Sequence, residues 1–242
     1  MKWMSLMKIR HLPITDLARI CVQPFSLQRH ALMQVKGGGQ GPNYNPTRKS
    51  FPGIVNRRPG AFTSIRDEWN VVENQIRLFS RSDDEFNLNI PVARQLYDHC
   101  VEHEVEATEI DGFPISFSVG PKLLCWSPAL FIYPDRITVP FMDFRRSRNL
   151  TREARRCIFS LQHHALRVNN PDYRDAVGLE VFQFGLGASR PIQSKPEDDC
   201  WLFSYDQLED MITQTQRLWF DVLADREEEV RRTGTGKRGD LL

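Results

Sequence analysis

The chain lacks the long apolar runs that would place it in a membrane. No stretch approaches the roughly 18 uncharged residues a spanning helix needs, and charge recurs too soon in "MKWMSLMKIRHLP" for a signal peptide's apolar region. It lacks a surplus of either charge: 32 basic residues stand against 31 acidic ones. Attraction to a polyanion must therefore come from local patches. It has no C-x-x-C, and its five cysteines (Cys21, Cys100, Cys125, Cys157, Cys200) are dispersed and odd in number. That excludes a zinc ribbon and a disulfide framework, leaving reduced, mostly buried thiols. No internal repeat is visible. These absences imply a protein that is cytoplasmic, or nuclear in a eukaryote, and not bound to a membrane.

What is present suits one large domain, or a domain with an appended lobe. The 242 residues are 40% hydrophobic and 26% charged, ordinary for a globular chain. Residues 13–35 read as two short helices interrupted at Pro24. Residues 36–60 hold six Gly and four Pro and no acid. That composition predicts a flexible basic loop. It is either a plain linker or a phosphate-contacting arm carrying Lys36, Arg48, Lys49, Arg57 and Arg58. Trp69, Val72, Ile76 and Phe79 fall at helical spacing over 65–80, and Pro91 is placed to open a helix over 91–103.

The period then changes to two. Val105, Ala107 and Ile110 alternate up to Asp111-Gly112, and Phe113, Ile115 and Phe117 alternate after it, which predicts a hairpin. "KLLCW", "ALFIY" and Arg136–Met142 read as further strands of an antiparallel meander. Asn149 or Thr151 caps a helix over 152–167, and Ala176–Phe184 reads as one more strand. Ser204 and Gln207 form a capping box for the last helix, and "DREEEVRRTGTGKRGDLL" ends as a charged tail. The expected fold is α/β (α+β), a mixed sheet with a strand meander and a right-handed helix crossover. The division expected is a helical N-terminal lobe (1–88), an α/β core (89–231) and a disordered tail (232–242).

Four stretches carry a resemblance to a known family. "ITDLARICVQP", "VPFMDFRRSR", "FSLQHHALRV" and "YRDAVGLEVFQFG" resemble motifs of the PD-(D/E)xK nuclease superfamily, in the RecB-like branch that includes CRISPR-associated adaptation nucleases. The resemblance implies that Asp143 is a metal ligand, that Arg145 stands where the family has lysine, and that Gln162 faces the metal site. Asp135 and Glu180 are the acids available to complete a Mg²⁺ site. The sequence departs from the family in three ways. Gly60 to Ser64 lacks the expected His, no acid occurs from Pro121 to Pro134, and Arg145 cannot act as a base because guanidinium stays protonated. An iron-sulfur cluster is not expected, since only Cys21 and Cys200 are suitably placed.

The residues keep a plainer reading beside the family one. Asp143 suits a strand-end aspartate paired with a neighbouring arginine, and Glu180 a structural carboxylate with buried partners. Arg145, Arg146, Arg148 and Arg152 form either a solvated face or a phosphate-binding rim. His163 and His164 are adjacent and do not share a helix face. The expectation that follows is a nucleic-acid-binding protein with a degenerate nuclease fold, taking DNA rather than RNA, within a defence or mobile-element complex. The alternatives are a live Mg²⁺-dependent nuclease with migrated acids, and a scaffold protein without a nucleic-acid role. Trp201, Trp219 and Phe220 at the last helix suit a protein partner or ordinary core.

Overall fold

A computed structural model describes residues 11–35, 43–57, 66–112, 114–125, 129–145, 149–197 and 201–233. In chain order the helices are α1 (Ile14–Cys21), α2 (Phe25–Met33), α3 (Asn45–Lys49), α4 (Phe51–Ile54), α5 (Trp69–Phe79) and α6 (Asp83–Glu102). Strands β1 (Glu106–Thr108), β2 (Leu130–Ile132) and β3 (Ile137–Asp143) follow. Then come α7 (Arg152–Gln162), continued as a π-helical turn over His163–Val168, α8 (Pro171–Arg174), β4 (Gly178–Phe184), β5 (Ile192–Pro196) and α9 (Tyr205–Thr233). They form two compact units, one from residues 11–35, 116–123 and 204–233, the other from the remainder.

The first unit is helical. Pro24 cannot donate a helical N–H, so α1 ends before it and α2 starts after it. On α1, Leu17, Ala18, Ile20 and Cys21 are buried, and on α9 so are Leu208, Ile212, Trp219 and Val222. Ser204 and Gln207 open α9 with the expected reciprocal bonds, 3.2 Å from Gln207 N–H to Ser204 Oγ and 3.0 Å from Ser204 N–H to Gln207 Oε1. Arg226 on α9 closes α2. Its Nη2 donates to the carbonyls of Leu32, Met33 and Val35 at 3.3, 2.9 and 3.0 Å, taking up acceptors a helix end leaves without partners.

The second unit is built on a five-stranded mixed sheet in the order β1-β2-β3-β4-β5. The β1–β2, β2–β3 and β4–β5 pairs are antiparallel, while β3 and β4 are parallel and joined through α7. The meander, the crossover helix and the parallel strand agree with the sequence expectation at this coarse level. One face carries Phe131, Tyr133, Met142, Phe144, Phe182 and Phe184, in a single core with Phe51, Ile54, Val72, Ile76 and Leu96 of α4, α5 and α6. Alternation along the strands turns Val139, Phe141 and Val181 to the other face, where α7 packs on β4. Thr151 caps α7, accepting the Ala154 N–H at 3.2 Å.

Four expectations are corrected here. Residues 43–57 hold two short helices in place of a loop. Their order comes from tertiary contacts that composition does not reveal: Asn89 Oδ1 accepts from Thr47 N–H (3.0 Å) and Oγ1 (2.6 Å), while Phe51, Ile54 and Val55 are buried. Pro91 lies inside α6, which starts at Asp83 behind the Ser82 cap, with Asp83, Asp84 and Glu85 in its first turn. Burial of Phe86, Val92 and Leu96 carries the helix through the proline. Asp111-Gly112 does not join two paired strands among the described residues, because β1 pairs with β2, Thr108 standing opposite Leu130. "KLLCW" forms no strand over 121–125, whereas β5, with no clear apolar period, does pair with β4.

Candidate functional site

The acids expected to form a metal site are kept apart by the sheet itself. Asp143 ends β3 on the α7 side, in register with Gln183. Its Oδ1 accepts the Arg145 N–H at 3.3 Å and lies 3.6 Å from Arg145 Nε. Glu180 is in register with Pro140, three positions before Asp143, so it points to the opposite face. There its carboxylate accepts from Tyr133 (3.0 Å), Thr138 (2.9 Å) and Ser194, with His99 Nε2 3.3 Å from the Tyr133 hydroxyl. Asp135 is exposed in the β2–β3 turn and pairs with Arg136 at 3.1 Å. Among the described residues no group of three or more His, Cys, Asp or Glu could hold a metal ion.

Gln162 does not reach Asp143 either. Its Nε2 donates 3.3 Å to the carbonyl of Val139, and four residues of strand place that carbonyl about 13 Å from Asp143. The structure thus brings Arg145 to Asp143 and leaves Gln162, Glu180 and Asp135 elsewhere.

The basic residues are likewise dispersed. Arg152 is exposed at the start of α7. Arg155 donates to the Leu150 carbonyl at 3.0 Å, and Arg156 lies 3.3 Å from Glu153 and over the Phe203 ring. Arg48 and Lys49 end α3, and Arg57 pairs with Glu109 at 3.4 Å. Lys36, Arg58, Arg146 and Arg148 lie outside the described residues, as does Cys200. Among the described residues Cys21, Cys100 and Cys157 are buried thiols and Cys125 a half-buried one, none of them in a disulfide.

Two ionisations follow from burial around Glu180. Burial, with help from His103 and Arg136, holds the His99 imidazole down at about 4. Burial, with the Glu180 carboxylate beside it, pushes the Tyr133 phenol up. Both groups stay neutral at pH 7, and with Glu180 they form a hydrogen-bonded cluster within the core.

The surface of the first unit offers different chemistry. On α2, Phe25, Leu27 and Met33 are 55%, 56% and 59% exposed. The same helix buries Gln28, whose Nε2 donates to the carbonyls of Cys21 (3.4 Å) and Gln23 (2.9 Å) and whose Oε1 accepts from Thr215 at 3.1 Å. So Gln28 faces inward beside Leu32, while three large apolar side chains are left more than half exposed. Phe25 also lines a groove of about 650 Å³ with Leu218, Arg217, Glu209 and Asp221 of α9. Sequence reading missed these side chains, because hydrophobic spacing alone gives them to the core. Of the aromatics suggested for a partner, Trp219 is buried while Trp201 is 86% exposed.

Comparison with known proteins decides between the readings. The model of one family, the sliding clamp-binding bacterial toxin SocB, matches residues 15–229. The "DNA replication inhibitor toxin SocB" of Caulobacter vibrioides is 34% identical over 231 residues, which is 95% of this chain and 97% of that protein. No solved structure matches. The four stretches read as nuclease motifs fall, but for the first residue of one, inside the family match. The nuclease resemblance is therefore overturned, and with it the nuclease-like, nucleic-acid-binding function and the nucleic-acid partner that rested on it. The physical reason is on the sheet: acids that a nuclease would converge are separated by strand alternation. By the extent of both matches, this chain belongs to the SocB family.

Proposed function

We propose that the protein is a toxin that arrests DNA replication in a bacterial cytoplasm by binding the sliding clamp, a protein–protein interaction. The observation that carries this reading is the family match across residues 15–229, which includes elements of both compact units. No helix among the described residues is long and apolar enough to cross a membrane, which agrees with action on a replication protein.

The contact surface we assign to the clamp is on α2, at its exposed apolar side chains. Interfaces gain most of their energy from a few apolar anchors that leave water, and exposed large apolar side chains supply such anchors. Phe25, Leu27 and Met33 are all more than half exposed within one nine-residue helix. Substitution of side chains this exposed is expected to cost the fold little, which separates their role in binding from stability.

Induced expression in bacteria tests the reading. DNA synthesis, followed by labelled thymidine uptake, is expected to fall within minutes while RNA and protein synthesis continue. Phe25→Asp with Leu27→Asp is expected to relieve the arrest at equal protein level. Unchanged DNA synthesis with soluble, folded protein in the cell would reject the proposal.

A further inference from the structure

A stable interface covers roughly 800 Å² on each partner. Helix α2 has nine residues. It is therefore about 13 Å long and about 10 Å wide, and its exposed side alone falls well short of that area. A partner docked on it must also touch a neighbouring element, and beside Phe25 that element is α9. Phe25 and Leu218 line a groove of about 650 Å³ there, all of it within the first unit. The charged lining of the groove is three acids, Glu209, Asp210 and Asp221, against one cation, Arg217.

The three acids differ in what they already hold. Glu209 is half-buried, and its Oε1 accepts from the Ser118 N–H at 2.9 Å and from the Thr213 hydroxyl at 3.0 Å. The bonds from Ser118 hold its carboxyl below the usual carboxylate range, so it is a charged part of the groove wall. Asp210 and Asp221 are exposed, and among the described residues neither makes a hydrogen bond or an ion pair. The helical repeat puts them in one row on α9 with Arg217, all three within about 40° of one another. Along the axis Arg217 stands about 10 Å from Asp210 and about 6 Å from Asp221. Acid, base, acid in a row is a pattern and not a diffuse field. It favours a basic side chain at each end and opposes one in the middle, which is how charge selects a partner and its register.

We infer that a segment of the sliding clamp lies in this groove, with an apolar side chain against Phe25 and Leu218 and a lysine or arginine against each of Asp210 and Asp221. The inference rests on the clamp-binding reading and extends it from α2 to α9. Charges at the rim of an interface act on the association rate and its salt dependence more than on dissociation. Phe25 then supplies affinity, while Asp210 and Asp221 set approach and register.

Surface plasmon resonance of the full-length protein over an immobilised bacterial sliding clamp tests this. Asp210→Lys with Asp221→Lys is expected to slow association about tenfold at low salt, about 50 mM, with dissociation changed less than about twofold. At about 500 mM salt the difference from the parent should shrink to about twofold or less, because the charges are screened. Glu102→Lys with Glu228→Lys makes the same change of net charge at two exposed acids outside the groove, and is expected to change association less than about twofold. Circular dichroism checks that each variant is folded. If the double reversal does not fold, Asp210→Asn and Asp221→Asn, each alone, should slow association in the same direction by about twofold to threefold. Parent-like association of the groove variants, or an equal loss in the control pair, overturns the groove and leaves the clamp reading standing. No complex with the parent protein overturns both.

Discussion

Asp143 and Glu180 occupy adjacent parallel strands yet face opposite sides of the same sheet. The Pro140–Glu180 and Asp143–Gln183 registers fix this, since positions three apart on a strand cannot share a face. One consequence concerns metal. An ion held only by the folded protein raises its melting temperature in proportion to the logarithm of its concentration. Millimolar Mg²⁺ or Mn²⁺ is expected to leave the thermal melt unchanged. A clear concentration-dependent rise, lost in Asp143→Ala, would place a metal where the sheet geometry does not.

The opposite face gives Glu180 a structural role. Three hydroxyls donate to its carboxylate, from Tyr133, Thr138 and Ser194. Glu180→Ala strands all three in a buried site and is expected to cost about 2–4 kcal/mol of stability. Glu180→Gln keeps shape and one acceptor and should cost less. Chemical denaturation of the three proteins checks the order; equal stability of Glu180→Ala and the parent would remove the structural role.

His99 predicts an acid-labile fold. Its folded-state pKa is about 4 against an ordinary 6.5. Between those values the unfolded chain takes up a proton that the folded chain refuses. Stability is therefore complete above about pH 6.5 and declines as the pH falls toward 4. Allowing for partial solvent screening, the loss should reach about 1–3 kcal/mol. The residues facing His99 are Tyr133, Phe182 and His103, with Arg136 contributing charge. Denaturation at a series of pH values, compared with His99→Gln, tests it: the variant should lose much of the slope between pH 6.5 and 4. An unchanged slope would move the cause to other groups.

Helix α2 is tied to α9 through Arg226, which holds the carbonyls of Leu32 and Met33 at its C-terminus and of Val35 just beyond it. Arg226→Ala is expected to destabilise this end of α2 by about 1–3 kcal/mol. Amide hydrogen exchange over residues 28–35 should accelerate, with little change at β3 and β4. Uniform acceleration in both units, or none, would contradict this local role.

Local signals in the sequence carried much of the fold. Pro24 marked a real helix break, Thr151 and the Ser204–Gln207 pair marked real helix starts, and the apolar runs over β3 and β4 marked real strands. Errors arose where distant contacts override local preference. The Thr47–Asn89 bracket orders a Gly/Pro-rich segment, and Pro91 is tolerated because α6 is anchored on both sides of it. The surface of α2 was not legible, because Phe25 and Leu27 look like core until Gln28 is seen facing inward. The family resemblance failed for a related reason: short motifs around Asp143 and Gln162 match letters, while chemistry requires those side chains to converge, and they do not.

The most direct test of the clamp-binding account is a titration of the purified full-length protein into a purified bacterial sliding clamp, read by calorimetry and by co-elution in size-exclusion chromatography. The account predicts saturable binding that survives moderate salt, as an apolar contact should, and truncation of a central anchor is expected to cost about 2 kcal/mol or more. Phe25→Asp or Leu27→Asp should then weaken binding at least about thirtyfold, with circular dichroism unchanged. No complex at tens of micromolar clamp, or a complex whose affinity ignores both substitutions, would contradict the account: the first outcome rejects the partner, the second the surface of α2.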